Sequence, residues 1–472
     1  MSLNPGDTAW VLVSTALVQL MTPGLSFFYA GLVNSRNVVG TLMLSYGAMG
    51  VVTFLWVIIG YSEAFGPSTN THVTGGTENR ALEGLVGGMV GDLPALVYAM
   101  FQLMFAIVTA AIISGSVATR MRFIPFMTFV ALWHLLVYCP LTHWVWTVGD
   151  GWINDYGAID FAGGLVVHVS SGVSAFVAAF WLGQNPLRDN VHEHKPHNVP
   201  YVMLGAALLW FGWFGFNAGS ALTAGQLAGL AFANTQIAAA VAMFTWNLVE
   251  VICGGKGWFN GRPTAVGAAI GAVVGLVAIT PAAGFVTPMW SIFFGAFTSP
   301  VCYLALKLTK RSPIDDTLDT FAVHGVGGAV GSLLTGLFAT TEVGSPVDGS
   351  FYGDGGELFG KQIVALLATI ALCLVMTSLI MLFLKGMAKL LHTDIRISAD
   401  DMAVGVDGID HGESAYGHAD IEAVIAALQR ANQQGLLQKG STFELVPTSA
   451  PKNKRDSYPV TQFDTATAQQ SA

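Results

Sequence analysis

Eleven apolar stretches run through this sequence, and each has the roughly 20 residues that a helix needs to cross the hydrocarbon core of a bilayer. Hydrophobic residues make up 53% of the chain and charged residues only 10%, well below the ~25% usual for soluble domains. A soluble protein is therefore excluded, and a net charge of −9 gives no support for a nucleic-acid partner. The sequence predicts an all-α polytopic membrane protein with eleven transmembrane helices in a lipid bilayer. The stretches lie at roughly residues 8–32, 40–60, 95–118, 123–141, 161–183, 200–217, 227–253, 264–281, 288–308, 320–339 and 361–391.

Lys and Arg are unequally distributed between the connections that join these stretches. One side carries thirteen of them: Arg36, Arg120, Arg122, Arg188, Lys195, Lys256, Arg262, Lys307, Lys310, Arg311, Lys385, Lys389 and Arg396. The other side carries only Arg80 and Lys361. Because basic loops stay in the cytoplasm, this asymmetry predicts a multi-pass protein of the cytoplasmic (inner) membrane, with the N-terminus outside and the C-terminal tail inside.

Two of the stretches share an unusual spacing between an acid and a histidine. Asp160 precedes His168 by eight residues, and Asp316 precedes His324 by eight residues. These are the fifth and tenth spans, so each closes a block of five. Because five is odd, the second block crosses the membrane in the opposite sense, which is the inverted-repeat arrangement of many transporters. The expected parts are repeat one at about 8–183, repeat two at about 200–339 and a last helix at about 361–391.

The depth of the two histidines can be worked out from helix geometry. Eight residues carry His168 and His324 each about 12 Å from its acid. Since the two spans enter a layer of ~30 Å from opposite faces, the histidines are predicted to meet near its middle. A lone buried histidine is usually a packing residue, but two at matched depths favour a functional pair. Asp160 and Asp316, with Asp315 and Asp319, are predicted to cap their helices.

Six motifs stand in order along the chain: PGLSFFYAGL from Pro23, FQLMFA from Phe101, DFAGGLVVH from Asp160, GWFGFNAGSA from Gly212, FAVHGVGG from Phe321 and HGESAY from His411. In content and spacing they resemble the ammonium transporter family, the Amt/Mep/Rh group. The resemblance implies a homotrimer whose protomers each contain a narrow pore between pseudo-symmetric halves, with no cofactor. It also implies no enzymatic activity, and the chain has neither an HExxH motif nor a nucleophile elbow for an intramembrane hydrolase.

The resemblance further implies an outer substrate site and a gate, in the pattern of the Amt branch. Trp146, expected just after the fourth span, resembles part of the external ammonium site together with Phe105 and Ser220, and Asp160 has a secondary role there. Phe105 and Phe216 resemble the stacked phenyl gate below that site. Ammonium, or methylammonium as its analogue, is attracted to aromatic faces by cation–π interaction. A serine hydroxyl adds an acceptor that selects an N–H donor over potassium.

The pore below the gate is implied in the same way. His168 and His324 resemble the paired pore histidines, Trp213 resembles the pore-lining tryptophan, and Phe28 and Tyr29 match the family's FY pair. An intact cation would pay a large desolvation cost in an apolar pore, so a deprotonated, neutral ammonia is the expected species. Whether the proton stays outside or follows separately decides between a gas channel and electrogenic transport. The sequence leaves both open, with net ammonium uptake favoured.

Three parts follow from these boundaries: a transporter domain at 1–396, a tail at 397–418 and an extension at 419–472. The tail resembles the family's cytoplasmic tail, which implies docking of a PII-type signal protein. The extension is expected to form one amphipathic helix, with apolar residues at helical spacing, followed by a disordered Ser-, Thr-, Pro- and Gln-rich end. This added helix keeps a second function open, an ammonium sensor that signals through its tail.

Two features on the predicted cytoplasmic side are not explained by the family resemblance. The connection between the halves contains HEHKPH, with His192, His194 and His197. A metal site is conceivable there, but a solvated linker is favoured for so short a polar tract. Thr320 occupies a position that is often apolar in the family, and its hydroxyl at the inner pore mouth is expected to alter hydration.

Overall fold

The computed structural model describes residues 3–68, 73–186, 195–255 and 260–416. Within these residues eleven helices are long and apolar enough to cross a membrane. From span one to span eleven they are Pro5–Leu32, Ser35–Phe65, Ala95–Val117, Phe123–Trp146, Gly164–Leu182, Val199–Gly219, Gln226–Cys253, Ala265–Ala282, Pro288–Arg311, Phe321–Phe338 and Glu357–Leu390. The predicted all-α, multi-pass fold class is confirmed. In this part of the chain the only strands form the short antiparallel pair Met89–Val90 and Leu93–Pro94.

The second and fourth spans are longer than the sequence predicted. In span four a π-helical segment, His134–Tyr138, leads without a break into a further helix, Cys139–Trp146. Pro140 does not end the span, because it stands in the first turn of that helix, where its missing N–H is tolerated. Trp146 therefore lies inside span four, and the expectation that it follows the span is wrong. Span two likewise contains a π-helical segment, Trp56–Gly60, and continues beyond it through the helix Tyr61–Phe65.

Shorter helical segments join or flank the spans. They are the helices Trp152–Tyr156 and Ala399–Val404, the π-helical turn Asp407–His411, and the 3₁₀ turns Arg80–Leu82, Thr341–Val343 and Ser350–Tyr352.

Spans five and ten begin alike and cross each other closely. Each opens with a π-helical turn that contains its histidine, Gly164–Val169 in span five and Phe321–Val326 in span ten. The crossing points are glycines placed four residues after each histidine. A methyl group added at Gly172 would lie 2.1 Å from the backbone nitrogen of Gly325, and one at Gly328 would lie 2.8 Å from Cβ of His168. The contacts are reciprocal, as expected of two halves related by inversion.

A carboxylate caps the start of each of these two spans. Asp160 accepts hydrogen bonds from the backbone N–H groups of residues 163–166 at 2.7–3.3 Å. Asp316 accepts from the N–H groups of Thr320 at 3.1 Å and Phe321 at 2.8 Å. Burial raises the pKa of both carboxyl groups, to about 6 for Asp316, while these hydrogen bonds oppose the shift. The caps fix the two histidine-bearing turns at matching positions.

The neighbouring acids that the sequence grouped with Asp316 have other partners. Asp315 lies 3.9 Å from Nε of the fully buried Arg120, whose guanidinium also donates to the Asp315 carbonyl. Asp319 forms an ion pair with Lys310 at 3.1 Å. These two acids therefore fix the connection before span ten, and the carboxylate that accepts from the helix N-terminus is that of Asp316.

The chain after span eleven packs against the end of the bundle that carries most of the Lys and Arg, here called the basic end. The backbone N–H of Gly40 donates to Asp407 at 2.8 Å, and that of Phe123 donates to Asp410 at 3.1 Å. Both amides belong to the first helical turns of membrane spans, so tail carboxylates cap two helices to which they are not directly joined. The amphipathic helix expected within 419–472 lies outside the described residues.

Candidate functional site

Two histidines are in contact inside the bundle. Nδ1 of His168 lies 3.2 Å from Nδ1 of His324, and the side chains are buried. A hydrogen bond between two Nδ1 atoms needs one donor and one acceptor, so two neutral rings must adopt different tautomers. The ring that donates from Nδ1 then has an acceptor at Nε2, and the ring that accepts at Nδ1 has an N–H donor at Nε2. Nε2 of His168 has no hydrogen-bond partner in the described part of the chain.

Aromatic rings form a continuous column that ends on this pair. The Phe216 ring lies 6.1 Å from that of His168 and stacks on Phe105 at a centroid distance of 4.2 Å. Phe105 meets Trp146 edge to face at 5.8 Å. Phe105 and Phe216 are buried, whereas Trp146 is half-buried at the end opposite the basic end. The column therefore connects an accessible indole to the histidines.

Trp213 covers the face of His168 and is held by residues that the sequence did not reveal. Its ring lies 5.3 Å from the imidazole, and its Nε1–H donates to the hydroxyl of Thr280 at 2.9 Å. The Thr280 hydroxyl in turn lies within hydrogen-bonding distance of the Asn217 side chain and the Leu276 carbonyl. Thr280 is far from Trp213 in the sequence and looks like any threonine in an apolar helix, so no sequence signal pointed to it.

A small cavity lies at the histidines. Its volume is about 10 Å³, close to the lower limit for one molecule of the size of water. Apart from His168, His324 and Trp213, the lining is apolar: Met21, Leu25, Val108, Ile112, Val167, Leu209, Phe216 and Val273. A single small neutral molecule fits such a cavity, and a hydrated ion does not.

Of the residues predicted for an outer substrate site, Trp146 and Asp160 are linked through a backbone carbonyl, whereas Ser220 bonds to its own helix. Nε1–H of Trp146 donates to the carbonyl oxygen of Asp160 at 2.9 Å, and the Ser220 hydroxyl donates to the carbonyl of Phe216 at 2.8 Å. The Ser220 oxygen keeps lone pairs for another donor. The Asp160 carboxylate accepts from four backbone amides, so the contact between Asp160 and Trp146 is made by the Asp160 carbonyl and not by its charge.

Phe28 and Tyr29 lie toward the basic end, outside the lining of the histidine cavity. Their rings are in contact at 6.0 Å. The Tyr29 hydroxyl donates to the Ile112 carbonyl at 3.1 Å and lies 3.5 Å from the Thr320 hydroxyl. Thr320 stands one turn before His324, on the side from which span ten enters. This pair therefore lies between the histidines and the basic end.

A large cavity of about 760 Å³ opens at the basic end. Carboxylates are prominent in its lining, beside two lysines: Glu250, Asp315, Asp316, Asp319, Lys307 and Lys310. Thr320 and Tyr29 line neither cavity. In the sequence, Thr320 stands between Asp316, which lines this cavity, and His324, which lines the small one.

One histidine of the HEHKPH segment lies in the described residues. The ring nitrogens of His197 lie 2.9 Å from the Val33 carbonyl oxygen and 3.0 Å from the Tyr416 hydroxyl. This side chain therefore ties the connection between the halves to the tail. His192 and His194 lie outside the described residues, and their interpretation as solvated linker stays a prediction.

Comparison with known proteins agrees with this architecture. The profile of the Ammonium Transporter Family matches residues 9–416. An ammonium transporter of Bacillus subtilis (strain 168) is 47% identical over 420 residues, which cover 88% of this chain and 99% of that protein. The crystal structure of Saccharomyces cerevisiae Mep2 has a TM-score of 0.77 at 36% identity, covering 84% of this chain and 91% of that one. A structure described as Sensor Amt Protein has a TM-score of 0.77 at 27% identity, covering 86% and 98%.

Proposed function

The chain belongs to the ammonium transporter family, and we propose that it takes up ammonium across the cytoplasmic membrane along the aromatic column that ends on the histidine pair. The cation is recruited beside Trp146, loses its proton at the gate and continues as ammonia. The observation that carries this proposal is the stacked pair Phe105 and Phe216 directly before His168. That stack leaves no room for a hydrated ion, yet it leads to a cavity with hydrogen-bonding nitrogens.

Recruitment depends on the half-buried end of the column. The Trp146 face attracts an ammonium ion by about 0.5–2 kcal/mol, depending on how far the site is desolvated. The free lone pairs of Ser220 then accept one N–H of the cation. Potassium gains the cation–π attraction but has no hydrogen to donate, so the serine supplies the discrimination.

The gate and the pore favour the neutral molecule. Carrying an ion past Phe105 and Phe216 into a hydrocarbon-lined cavity costs tens of kcal/mol in the idealised limit, before relaxation. Loss of the proton removes most of that cost. Ammonia then meets one acceptor and one donor on the paired histidines, and both suit a molecule that has a lone pair and three N–H groups. The proton lost by the cation is accepted at the unprotonated Nε2 of one imidazole, the proton shared by the two Nδ1 atoms shifts to the other ring, and that ring releases its own Nε2 proton. One charge then crosses with each ammonia, so we propose electrogenic uptake rather than passive gas conduction.

Reconstitution of the full chain in liposomes, with current recorded under an ammonium gradient, tests the proposal. A sustained inward current with saturation is expected, and ammonia flux without current would favour the gas channel. The double variant Trp146→Leu with Ser220→Ala should raise the half-saturation concentration for methylammonium far more than it lowers maximal flux. Trp144→Leu is the matched control, because its indole bonds to the Val73 carbonyl away from the column. An unchanged half-saturation in the double variant would contradict the outer site.

Assembly, orientation and regulation belong to the same proposal. We propose a homotrimer with the N-terminus outside, the basic end in the cytoplasm, and a PII-type protein that docks on that face and the HGESAY segment. The tail contacts at Asp407 and Asp410 support a regulator acting there, because they connect the tail to the starts of spans two and four. Deletion of residues 397–418 should abolish co-purification with a PII-type protein. Retention of the partner after this deletion would remove the docking claim.

A sensor role is the second candidate function. It is favoured by the structure described as Sensor Amt Protein, which this chain matches over 86% of its length. A sensor would keep ammonium binding while its tail carries the signal. Deletion of residues 419–472 distinguishes the two, since a lost nitrogen response with intact uptake indicates sensing, and unchanged responses indicate transport alone.

A further inference from the structure

The geometry points to a third substrate station, beyond the histidines and the outer site, at the hydroxyl groups of Thr320 and Tyr29. We propose that Thr320 hydrogen-bonds the ammonia molecule as it leaves His324 for the basic end, with Tyr29 holding the threonine hydroxyl in place. This inference rests on the proposed ammonium transport, because it assigns a residue to the exit of the same pathway.

The position of Thr320 on span ten is the first argument. Thr320 stands four residues, about one turn or 6 Å, before His324 on span ten, and its backbone N–H donates to Asp316, which precedes the helix. Asp316 lines the large cavity at the basic end, and His324 lines the small cavity at the histidines. Thr320 lines neither and is 1% exposed. A molecule that travels from one cavity to the other along this side of span ten passes it.

The side chains packed together at Thr320 bring two hydroxyl groups into contact. The Thr320 and Tyr29 oxygens are 3.5 Å apart, and both face Gly115 of span three. A methyl group at Gly115 would lie 2.4 Å from the threonine hydroxyl and 2.6 Å from Cζ of tyrosine. Glycine at this position therefore gives the two hydroxyl-bearing side chains the space they occupy.

The hydrogen-bond inventory decides which atom is available to ammonia. The Tyr29 proton is donated to the Ile112 carbonyl, so the tyrosine oxygen serves as the acceptor for the Thr320 proton. The threonine oxygen then keeps lone pairs for an N–H of ammonia. When Thr320 rotates, its proton can instead meet the nitrogen lone pair. The Thr320 hydroxyl can thus act as hydrogen-bond acceptor or as donor, and so replaces the hydrogen bond that ammonia loses when it leaves His324.

Span five has a different residue at the position that corresponds to Thr320. Four residues before His168, the position that corresponds to Thr320 by the inverted repeat is Gly164. Glycine carries no hydroxyl of its own, and a methyl group added there would lie 2.5 Å from Cβ of Pro281 and 2.9 Å from the Ser332 hydroxyl. A hydroxyl-bearing residue four positions before the histidine is therefore found on span ten and not on span five.

Substitutions that change only the hydroxyl test this station in reconstituted full-length protein. Thr320→Val keeps the shape of the side chain, and we expect maximal ammonium flux to fall about tenfold, equivalent to ~1.4 kcal/mol, with the half-saturation concentration unchanged. Thr320→Ser keeps the hydroxyl and should retain at least half of the wild-type flux. Thr369→Val in span eleven is the matched control, since its hydroxyl bonds to its own helix at Ala365 and it should transport normally.

Tyr29→Phe provides a second variant that does not alter span ten. It should lower maximal flux in the same direction, and combining it with Thr320→Val should add little, because both changes remove one hydrogen-bonded unit. Wild-type flux in Thr320→Val, or an equal loss in Thr320→Ser, would overturn the station while leaving wild-type transport and its outer-site dependence intact. Absence of ammonium flux in the wild-type protein would instead overturn the proposed function, and this inference with it.

Discussion

Replacing Gly172 by alanine should break the hydrogen bond between the two histidines without changing either of them. The added methyl group would lie 2.1 Å from the backbone nitrogen of Gly325 and 2.4 Å from its Cα. Both are backbone atoms, which no side-chain rotation can move aside. To reach an ordinary contact distance of 3.4 Å, spans five and ten must separate by about 1.3 Å at this point.

The same displacement acts on the histidines. His168 stands one turn before Gly172, so a separation of about 1.3 Å carries the 3.2 Å distance between the Nδ1 atoms of His168 and His324 to about 4.5 Å, beyond hydrogen-bonding range. Overpacking of this kind typically costs 1–3 kcal/mol, so the protein should still fold. Gly328→Ala needs a displacement of only about 0.6 Å, from 2.8 Å to 3.4 Å, and should be milder.

Ammonium-driven current in proteoliposomes and thermal unfolding in detergent measure the two effects. Gly172→Ala should lose at least about tenfold in current, the value of one hydrogen bond of ~1.4 kcal/mol, with a lowered melting temperature. Gly328→Ala should lose less. Gly50→Ala is the control, because an added methyl group there meets no atom within 4 Å. Wild-type current in Gly172→Ala, or a greater loss in Gly328→Ala, would refute the reasoning.

Replacing His168 or His324 by alanine should abolish selective ammonium current, while Asp at either position keeps some flux with poorer discrimination against potassium; wild-type currents in both alanine variants would return these residues to core packing. Burial raises the pKa of Asp316 from 3.8 to about 6, so the folded protein holds the proton on this carboxyl group more tightly than the unfolded chain does. The stability that the protonated group gives the fold is complete below pH 4 and is lost as the pH rises through about 6. Asn does not ionise, so Asp316→Asn should remove this loss of folding stability, which is up to ~3 kcal/mol between pH 4 and pH 7. Melting temperatures at the two pH values measure the effect, and a variant with the same pH dependence as the wild type would argue against it. A chain that ends at Gly417 should conduct normally, since every proposed pore residue precedes it; a trimeric but inactive truncation would be the contrary result.

Span number and placement could be predicted from the sequence because the bilayer imposes them. A helix in hydrocarbon must be apolar over roughly 20 residues, so each span leaves a local signal that needs no knowledge of its neighbours. The errors fell at span ends, as in span four, where the helix continues to Trp146 through a π-helical segment. Within this continuation the His143 ring bonds to Ser68 and to the Ala64 carbonyl, partners far away in the sequence that an apolar pattern does not show.

The histidine pair was predicted from spacing alone, because the interval between acid and histidine is a local property repeated in both halves. What the spacing could not supply is the distance between the two rings. The 3.2 Å distance between the imidazoles depends on how closely spans five and ten approach, and that is decided by glycines that meet the opposite backbone. Glycine is too frequent in this chain, with 55 residues, for any one to stand out in the sequence.

The supporting contacts of the pathway were likewise decided by tertiary structure. Trp213 is oriented by Thr280, and Thr320 meets Tyr29, although each pair is widely separated in sequence. A hydroxyl in an apolar helix has the same sequence signature whether it bonds to its own helix, as Thr369 does, or to another span. Hydrophobicity accumulates along a local segment and so can be summed from the sequence, whereas a hydrogen bond requires two particular atoms within about 3 Å, which only the packing of the spans can bring about.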